Sequence, residues 1–311
     1  MAERALVTGI LGCVGAWAAR AFLDEGVGVV GFDFGDSTHR LELVLGDDVT
    51  RVDVVQGDIT DLAALERVLD EREITRVVHL AAFQVPFCRE NPPLGAAVNV
   101  VGTMNVLEAV KRRLDRIPGV AWASSAAVYG QSDPSPAPEA GGIEPATHYG
   151  VFKLANEGNA RIAWHEGGVP SVGIRPYVVY GPGRDQGLTS GPSTAMAAAA
   201  RGEGSRIGYG SVVQYDFAPE VGIAFARAAA AVSEGAVVTN FPGVLATMTE
   251  VVAAIEAAAP AIEGKIDWDD VSLPFPAELE AIALEQIVGP LPGTGLAEGV
   301  ATTVAHFRRA A

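Results

Sequence analysis

The segment Thr8-Gly9-Ile10-Leu11-Gly12-Cys13-Val14-Gly15 decides the fold of this 311-residue chain. It follows the short apolar run Ala5–Thr8 and opens a helical pattern over Val14–Glu25, so it joins a predicted strand to a predicted helix. Its three glycines, in order, allow a tight turn, let the backbone approach a pyrophosphate, and permit close packing of helix on strand. The free N–H groups and positive dipole end of the helix favour an anion there. The segment therefore predicts a phosphate-binding loop.

Short apolar runs alternate with helical patterns as far as Arg175, which is typical of βαβ units and a parallel sheet. We predict strands at Ala5–Thr8, Val27–Asp33, Val52–Gln56, Val77–Leu80, Val120–Ala123, Val172–Arg175 and Val237–Phe241. We predict helices at Val14–Glu25, Leu62–Glu71, Gly95–Leu114, His148–Gly167, Ala195–Ala200, Val221–Val232, Thr249–Ala258 and Leu296–Arg309. Four prolines break the pattern after Tyr129, so Gly130–Ala146 is predicted to be a loop over a site.

The composition excludes several classes of protein. A formal charge of −16 argues against binding to nucleic acid or to an anionic membrane. The hydrophobic share of 49% and the length allow a substantial core. Cys13 and Cys88 are too few for a disulfide framework, and no histidine has metal-ligand spacing, so we expect no metal site and a reducing compartment. With no leader pattern and no apolar run of membrane-spanning length, we expect a cytoplasmic location.

An acidic residue ends the second predicted strand. Asp33 lies 18 residues beyond Gly15, close to the spacing at which a carboxylate binds the ribose of a dinucleotide. Such a carboxylate accepts hydrogen bonds from the adenosine ribose and repels a 2′-phosphate, which favours NAD over NADP. Arg40 argues the other way, because an arginine shortly after this strand is able to bind that phosphate. The alternative interpretation is a plain glycine-rich turn followed by a surface aspartate.

Tyr149 and Lys153 are four residues apart and so share one face of a predicted helix. Lowering the pKa of a tyrosine from near 10 toward neutrality takes about 4 kcal/mol. A cation about 4 Å away supplies an energy of that order at an effective dielectric constant of about 20. Helped by an oxidised nicotinamide, Lys153 would then let Tyr149 exchange a proton with a substrate hydroxyl while hydride leaves the same carbon.

Two serines follow the predicted strand Val120–Ala123. Ser124 and Ser125 stand at the carboxyl edge of the sheet, where ligands of open parallel sheets bind. A serine hydroxyl there is able to hold the substrate oxygen beside Tyr149. The alternative is that both serines only satisfy a strand-to-loop turn.

Together these features resemble the extended short-chain dehydrogenase/reductases, the family of NAD-dependent sugar epimerases and dehydratases. The resemblance runs through nearly the whole chain. Besides the glycine loop, Asp33, Asn99 and the Tyr149/Lys153 pair, it rests on Gly57-Asp58-Ile59-Thr60-Asp61, His79-Leu80-Ala81-Ala82, Ser124-Ser125-Ala126-Ala127-Val128-Tyr129-Gly130 and Arg175-Pro176-Tyr177-Val178-Val179-Tyr180-Gly181-Pro182-Gly183.

The resemblance implies an α/β architecture of two domains. The first is a doubly wound, parallel-sheet Rossmann domain that binds NAD, formed by residues 1–175 and part of 216–245. The second is a smaller C-terminal α/β domain that binds the substrate, formed by residues 176–215 and 246–311. The family often dimerises through the helices that correspond to Gly95–Leu114 and His148–Gly167, so a homodimer is expected.

The resemblance also assigns roles to residues. Ser125, Tyr149 and Lys153 would be catalytic, and Lys153 would also hold the nicotinamide ribose. Asp58 and Ile59 would flank the adenine, although Asp58 by itself is equally able to cap the helix that begins near Asp61. The predicted cofactor contacts are Gly9, Leu11, Gly12, Cys13, Val14, Gly15, Asp33, Asp58, Ile59, Leu80, Ala81, Ala82, Asn99, Tyr149, Lys153 and Pro176. The predicted substrate contacts are Gln84, Phe87, Ser124, Ser125, Tyr177 and Arg184.

Departures from the family pattern bear on the substrate. Ala126 and Ala127 stand where dehydratases carry an Asp-Glu pair, which disfavours dehydration. Val178 and Val213 stand where nucleotide-sugar epimerases have an asparagine and an arginine, and neither valine is able to bind a phosphate. A smaller, sugar-like substrate without a nucleotide is therefore favoured. Three arginines are candidates to replace the missing donor: Arg184, Arg201 and Arg206.

Three hypotheses follow from the sequence. The first is an NAD-dependent oxidoreductase that interconverts a secondary alcohol and a ketone on a sugar-like small molecule. The second is an epimerase that uses the same residues but returns hydride to the other face of the carbon. The third is a non-catalytic NAD-binding sensor, against which the intact Tyr149/Lys153 pair argues.

Overall fold

A computed structural model describes residues 3–140, 144–232 and 234–310. Its strands are β1 (Arg4–Thr8), β2 (Gly28–Asp33), β3 (Val52–Gln56), β4 (Arg76–His79), β5 (Val120–Ala123), β6 (Ser171–Arg175), β7 (Val178–Tyr180), β8 (Ser205–Ile207), β9 (Val213–Phe217), β10 (Ala236–Asn240), β11 (Val244–Ala246) and β12 (Ile266–Trp268). Its helices are α1 (Cys13–Asp24), α2 (His39–Leu45), α3 (Leu62–Glu71), α4 (Val85–Glu90), α5 (Pro92–Ala96), α6 (Gly102–Lys111), α7 (His148–Gly167), α8 (Gly191–Ala200), α9 (Ala218–Ala231), α10 (Met248–Ala258), α11 (Leu284–Val288) and α12 (Leu296–Ala310).

The main sheet has seven parallel strands in the order β3-β2-β1-β4-β5-β6-β10. Its first six strands have the order of a doubly wound dinucleotide-binding fold, in which the strand order reverses between β1 and β4. Thr8 at the end of β1 lies beside Phe32 of β2 and His79 of β4. The carboxyl ends of these three strands therefore meet at the crevice where such sheets bind ligands. The predicted fold class is confirmed.

Helices cover both faces of this sheet. Ala5 and Val7 of β1 belong to a core shared with α1 and α9, whereas Leu6, between them, belongs to a core shared with α3, α6 and α7. Because both faces are buried there, the inner strands β1, β2 and β5 are largely apolar and do not alternate with polar residues, whereas the edge strand β3 carries Asp53 and Gln56. This explains why the apolar runs in the sequence were good indicators of strands.

A second core lies beyond Arg175. There β11, β9 and β7 form a three-stranded sheet, and β12 pairs with β8. Apolar side chains of α8, α10 and α12 pack with residues such as Val178, Tyr180 and Tyr215. The division into two domains stays a prediction that these two cores support.

One continuous helix of 20 residues includes both α5 and α6. A π-helical turn, Ala97–Val101, joins α5 to α6, so the helix runs over Pro92–Lys111. It is long and apolar enough to cross a membrane by length and composition, with a mean hydropathy of 1.2. However, Val106 and Val110 are buried in the core of the main sheet, as in the core helix of a globular protein. The cytoplasmic location stays a prediction.

Candidate active site

A cleft of about 660 Å³ lies at the carboxyl ends of the main-sheet strands. Every residue that the sequence predicted for the cofactor or the substrate lines it, with the exception of Asn99. The structure therefore brings together predicted site residues that are up to 175 positions apart, from Gly9 to Arg184. Residues that the sequence did not indicate also line the cleft, and they include Phe34, Asp36, Leu188, Thr189 and Phe275.

The glycine loop is built for close approach of the backbone. Gly9 has a φ of +72°, and a Cβ placed on it would lie 2.7 Å from the backbone nitrogen of Ala81. A Cβ on Gly15 would lie 2.3 Å from the carbonyl oxygen of Gly9, so only glycine lets α1 pack this close to the loop. No side chain caps the start of α1 within the described ranges. Its first-turn N–H groups are thus available to a pyrophosphate.

Cys13, at the first position of α1, is a buried thiol. Burial raises its pKa to about 12, and its Sγ lies 3.6 Å from the carbonyl oxygen of Pro182. A thiol with this pKa stays protonated at neutral pH, so the helix N-terminus does not activate it. Cys13 fills space between the loop and the segment that follows β7.

Asp33 lies at the end of β2 and faces the cleft. Its carboxylate accepts hydrogen bonds from the backbone N–H groups of Leu11 (3.0 Å) and Gly35 (3.1 Å). Arg40, which the sequence offered as a phosphate ligand, is already engaged. Its Nε lies 2.9 Å from Oδ1 of Asp185, and its Nη1 lies 3.1 Å from the carbonyl oxygen of Leu11. This end of the cleft therefore fits a free ribose better than a phosphorylated one.

Asp58 and Ile59 line the cleft opposite Asp33. The alternative role of Asp58 as a helix cap is wrong, because Asp61 caps α3 by accepting a hydrogen bond from the N–H of Ala64 at 3.0 Å. Asp58 instead accepts hydrogen bonds from the N–H and the hydroxyl of Thr60, both at 2.8 Å. A turn of this kind holds the residue at the rim of the cleft.

Asn99 lies behind the cleft and does not line it. It is 1% exposed, its Oδ1 accepts a hydrogen bond from the N–H of Phe83 at 2.7 Å, and its Nδ2 donates to the Phe83 carbonyl at 2.9 Å. Both polar atoms of the amide are thus engaged with the backbone of Phe83, and Nδ2 also lies 3.4 Å from Sγ of Cys88. Contact of Asn99 with the cofactor stays a prediction that this placement behind the cleft does not favour. Asn99 positions the loop after β4, which supplies Ala81, Ala82 and Gln84 to the cleft.

The end of β5 and the start of α7 bring Ser125 and Tyr149 together. Thr147 caps α7 by accepting a hydrogen bond from the N–H of Gly150 at 3.0 Å. A Cβ on Gly150 would lie 2.0 Å from the carbonyl oxygen of Ala127, so glycine lets the first turn of α7 press against the turn after β5. At this contact the Ser125 hydroxyl acts on Tyr149 and opposes the rise in its pKa.

Lys153 lies one turn after Tyr149. Its Nζ donates to the carbonyl of Ala123 at 2.6 Å and lies 5.6 Å from the centroid of the Tyr149 ring. Burial lowers the pKa of Lys153 to about 8. Burial also raises the pKa of Tyr149, against the opposing effects of the Ser125 hydroxyl and the positive charge of Arg184. The expectation that Lys153, helped by an oxidised nicotinamide, brings the pKa of Tyr149 toward neutrality stays a prediction.

A buried polar network supports the catalytic end from behind. Ser124 donates its hydroxyl hydrogen to Oε1 of Glu157 at 2.5 Å, although it also lines the cleft. Glu157 accepts two hydrogen bonds from the guanidinium of Arg175, both at 2.7 Å. Arg175 in turn donates to the hydroxyl of Tyr129 at 2.5 Å. The sequence analysis missed Glu157, which its position four residues after Lys153 on the same helix face would have indicated.

The far end of the cleft carries the predicted substrate contacts. The hydroxyl of Tyr177 donates to the carbonyl of Pro276 at 2.6 Å, and Phe275 packs edge-on against the Tyr177 ring. Phe87 packs against Phe83 on the opposite wall. Arg184 forms no salt bridge with any residue in the described part of the chain, so its charge is available to a ligand.

The structure separates the three arginines that were candidates for a phosphate contact. Arg184 lines the cleft, whereas Arg201 pairs with Glu203 and Arg206 with Asp269, both outside it. Val178 and Val213 are buried in the second core and do not line the cleft.

The proline-rich loop was predicted to lie over the site, but its described part does not line the cleft. None of its described residues, 130–140 and 144–146, lines the cleft. Glu139 instead accepts hydrogen bonds from the hydroxyl of Thr239 and the N–H of Asn240 beside β10. Residues 141–143 of this predicted loop lie outside the described residues.

Comparisons with known proteins agree with this geometry. The family model described as GDP-mannose 4,6 dehydratase matches residues 6–256. UDP-glucose 4-epimerase of Mycolicibacterium smegmatis is 32% identical over 315 residues, which is 98% of each chain. UDP-glucuronate 4-epimerase 6 of Arabidopsis thaliana is 36% identical over 57% of this chain, and the match spans only 40% of the plant protein. The crystal structure of Thermus thermophilus UDP-glucose 4-epimerase in complex with NAD superposes with a TM-score of 0.82 at 27% identity, over 99% of this chain and 100% of that one.

Proposed function

Since the chain belongs to the extended short-chain dehydrogenase/reductase family, we propose that it binds NAD and interconverts a secondary alcohol and a ketone on a sugar-like small molecule. The observation that carries this proposal is the placement of Ser125, Tyr149 and Lys153 in one cleft with a glycine loop and Asp33, with the Lys153 ammonium 5.6 Å from the centroid of the Tyr149 ring. A tyrosine proton donor next to a dinucleotide site is the arrangement that reversible alcohol oxidation needs.

The residues of the cleft fit NAD. The first-turn N–H groups of α1 would hold the pyrophosphate, and Asp33 would accept hydrogen bonds from the adenosine ribose. Asp58 and Ile59 would flank the adenine, and Lys153 would hold the nicotinamide ribose. When bound, NAD would supply the hydride acceptor and donor for the substrate carbon.

Three side chains would handle the substrate oxygen and its proton. The Ser125 hydroxyl accepts a hydrogen bond from the N–H of Ala127 at 3.1 Å, which fixes its position. It would hold the substrate oxygen while the proton moves between that oxygen and Oη of Tyr149. The Lys153 ammonium would favour the phenolate that this transfer creates. A carbonyl, that of Ala123, holds Lys153 in place during the transfer.

Two observations support an anionic, sugar-like substrate. Arg184 faces the cleft as a cation that forms no salt bridge within the described residues, and its charge acts on Tyr149. Gln84, Tyr177 and Thr189 add polar groups to the same end. No ionisable side chain replaces the Asp-Glu pair of dehydratases, because Ala126 and Ala127 line the cleft at those positions. We therefore propose a carboxylate or phosphate on the substrate and no elimination of water.

The second candidate function is epimerisation. Relatives that match most of the chain are named as UDP-glucose 4-epimerases, which favours it. Net inversion results when the same oxidation is reversed on the opposite face of the substrate carbon. The same catalytic residues serve both outcomes, so the distinction lies in the fate of the intermediate ketone.

One experiment tests the proposal and separates the two outcomes. The purified protein is denatured, and the supernatant is assayed for released NAD. The native protein is then incubated with UDP-glucose, UDP-glucuronate, glucose and glucuronate, with and without added NAD. Net NADH with a ketone product supports the oxidoreductase. An inverted product without net NADH supports the epimerase. A protein that neither releases NAD nor binds added NAD would contradict the proposal.

A further inference from the structure

We propose that Asp185 sets the cofactor selectivity of the cleft by neutralising Arg40. The inference rests on the proposed NAD site and goes beyond it, because it concerns a residue that does not belong to the dinucleotide-binding motif. Asp185 lies after β7, 145 positions from Arg40, and the fold brings the two side chains together.

The ribose end of the cleft is acidic apart from one residue. Asp33, Asp36 and Asp58 line it, and Arg40 is the lining cation on this side. Of the other two lining cations, Lys153 lies beside Tyr149, and Arg184 acts on both Tyr149 and Cys13. Arg40 is thus the side chain through which this end would accept an additional phosphate.

Arg40 lies next to the carboxylate that defines the ribose position. Its Nη1 donates to the carbonyl of Leu11 at 3.1 Å, and the N–H of the same residue donates to Oδ2 of Asp33 at 3.0 Å. The backbone of Leu11 therefore binds both the Arg40 guanidinium and the Asp33 carboxylate. A 2′-phosphate on the ribose would fall within reach of an arginine placed there.

Asp185 removes that possibility in the chain as folded. Its Oδ1 accepts from Nε of Arg40 at 2.9 Å and from Nη2 at 2.7 Å. His39 contacts the other oxygen at 3.0 Å. The Arg40 side chain is only 15% exposed, so this pair is screened less than a fully exposed one. With the charge of Arg40 offset, the three carboxylates dominate, and they repel a 2′-phosphate.

The segment that carries Asp185 is held by contacts both before and after this residue. Trp17 donates through Nε1 to the carbonyl of Pro182 at 2.9 Å, and Gly187 packs against the amide of Gln84 on the opposite wall. Asp185 is therefore presented to Arg40 by a segment that crosses the cleft. This explains how a residue from the second half of the chain reaches the ribose end.

Isothermal titration calorimetry on the full-length protein tests the inference with 5′-AMP and 2′,5′-ADP (adenosine 2′,5′-bisphosphate), which differ only in the 2′-phosphate. Asp185→Asn should raise the affinity for 2′,5′-ADP relative to 5′-AMP by about tenfold, the scale of a new charge-assisted contact. The ratio is the readout, because any loosening of the crossing segment affects both ligands alike. The gain should shrink in high salt.

Three controls make the result decisive. Asp36→Asn removes a carboxylate from the same rim without freeing Arg40, and should change the ratio by less than about threefold. Arg40→Met alone should leave the ratio near its original value, and Arg40→Met added to Asp185→Asn should cancel the gain. An unchanged ratio in Asp185→Asn, or an equal rise in Asp36→Asn, would overturn the inference while leaving the NAD site intact. Failure of the unaltered protein to bind 5′-AMP or NAD would instead overturn the proposed function.

Discussion

The Lys153 ammonium lies 5.6 Å from the ring centroid of Tyr149 and is fixed there by the carbonyl of Ala123 at 2.6 Å. The two side chains share α7, but the carbonyl belongs to the end of β5. The distance between the phenol and the ammonium is therefore set by how closely α7 packs on the turn after β5. Gly150 permits that packing, because a Cβ added at this position would collide with the Ala127 carbonyl.

Activity should fall in alkaline solution because Lys153 loses its charge. Burial lowers the pKa of Lys153 to about 8, so the ammonium is present below that pH and is lost as the pH rises through it. We expect kcat/KM to show an alkaline limb near pH 8. Lys153→Arg should move this limb upward by more than one pH unit, since arginine keeps its charge, although turnover will drop. A limb that stays in place in Lys153→Arg would assign it to another group.

The buried pair Glu157/Arg175 should be costly to break. Its side chains are 9% and 3% exposed, and two hydrogen bonds join them. Arg175→Met leaves a buried carboxylate without its partner and should lower the free energy of unfolding by about 3 kcal/mol. Adding Glu157→Gln should restore part of this loss, as seen in urea unfolding. If the loss of stability in the double variant equals the sum of the losses in Arg175→Met and Glu157→Gln, the pair is not coupled.

Asp216 should destabilise the protein at alkaline pH. Burial raises the pKa of Asp216 to about 8, and its Oδ1 has no hydrogen-bond partner among the residues described. The folded protein holds a proton that the unfolded chain releases above about pH 4, so stability falls as the pH rises from about 4 to about 8 and then levels off. The N–H of Tyr177 donates to Oδ2 of Asp216 at 2.6 Å. In Asp216→Asn the amide oxygen is able to keep this hydrogen bond.

This variant should therefore be more stable than the unaltered protein by about 2 kcal/mol at pH 8, and the difference should vanish near pH 4. Thermal unfolding across this pH range measures it. Asp267→Asn, a change at an exposed carboxylate, is the matched control. A constant difference at all pH values would show that ionisation of Asp216 is not the cause.

The predicted homodimer has a surface to test. Large apolar side chains about half exposed in the single chain lie on α5, α6 and α7 and the turn between them, and they include Leu94, Val101, Met104 and Val151. Burial of such a stripe is the driving force that a stable dimer needs. Val101→Lys combined with Met104→Glu should halve the mass in analytical ultracentrifugation. Val271→Lys, at an exposed position in a different region, should leave it unchanged.

The main sheet was predictable because its strands are short runs rich in Val, Ile and Ala that are bounded by turn residues. Val52–Gln56 and Val120–Ala123 were predicted with their observed limits. The strands of the second half were mostly missed: β7, β8, β11 and β12 have only three residues each, and β9 has five. Their partners are distant in the chain, as in the pairing of Val178 with Tyr215, so no local pattern signals them.

The site was predictable where a motif fixes the backbone. The glycine loop, Ser125, Tyr149 and Lys153 line one cleft because β1, β5 and α7 end at the same edge of the sheet. Contacts that depend on two distant segments were not predictable. Neither the pairing of Arg40 with Asp185 nor the approach of Phe275 to Tyr177 leaves a trace in local sequence. Asn99 had a recognisable position, but its burial behind the loop emerged only from the fold.

The role of Tyr149 is the central claim, and the rate of substrate conversion by Tyr149→Phe tests it most directly. The substrate is whichever compound of the panel the unaltered protein converts, and Tyr177→Phe is the control at another tyrosine of the cleft. We predict that Tyr149→Phe loses about 10³-fold in turnover, the range of general acid–base catalysis, while it keeps its bound NAD and its melting temperature. Turnover by Tyr149→Phe equal to that of the unaltered protein would contradict the account.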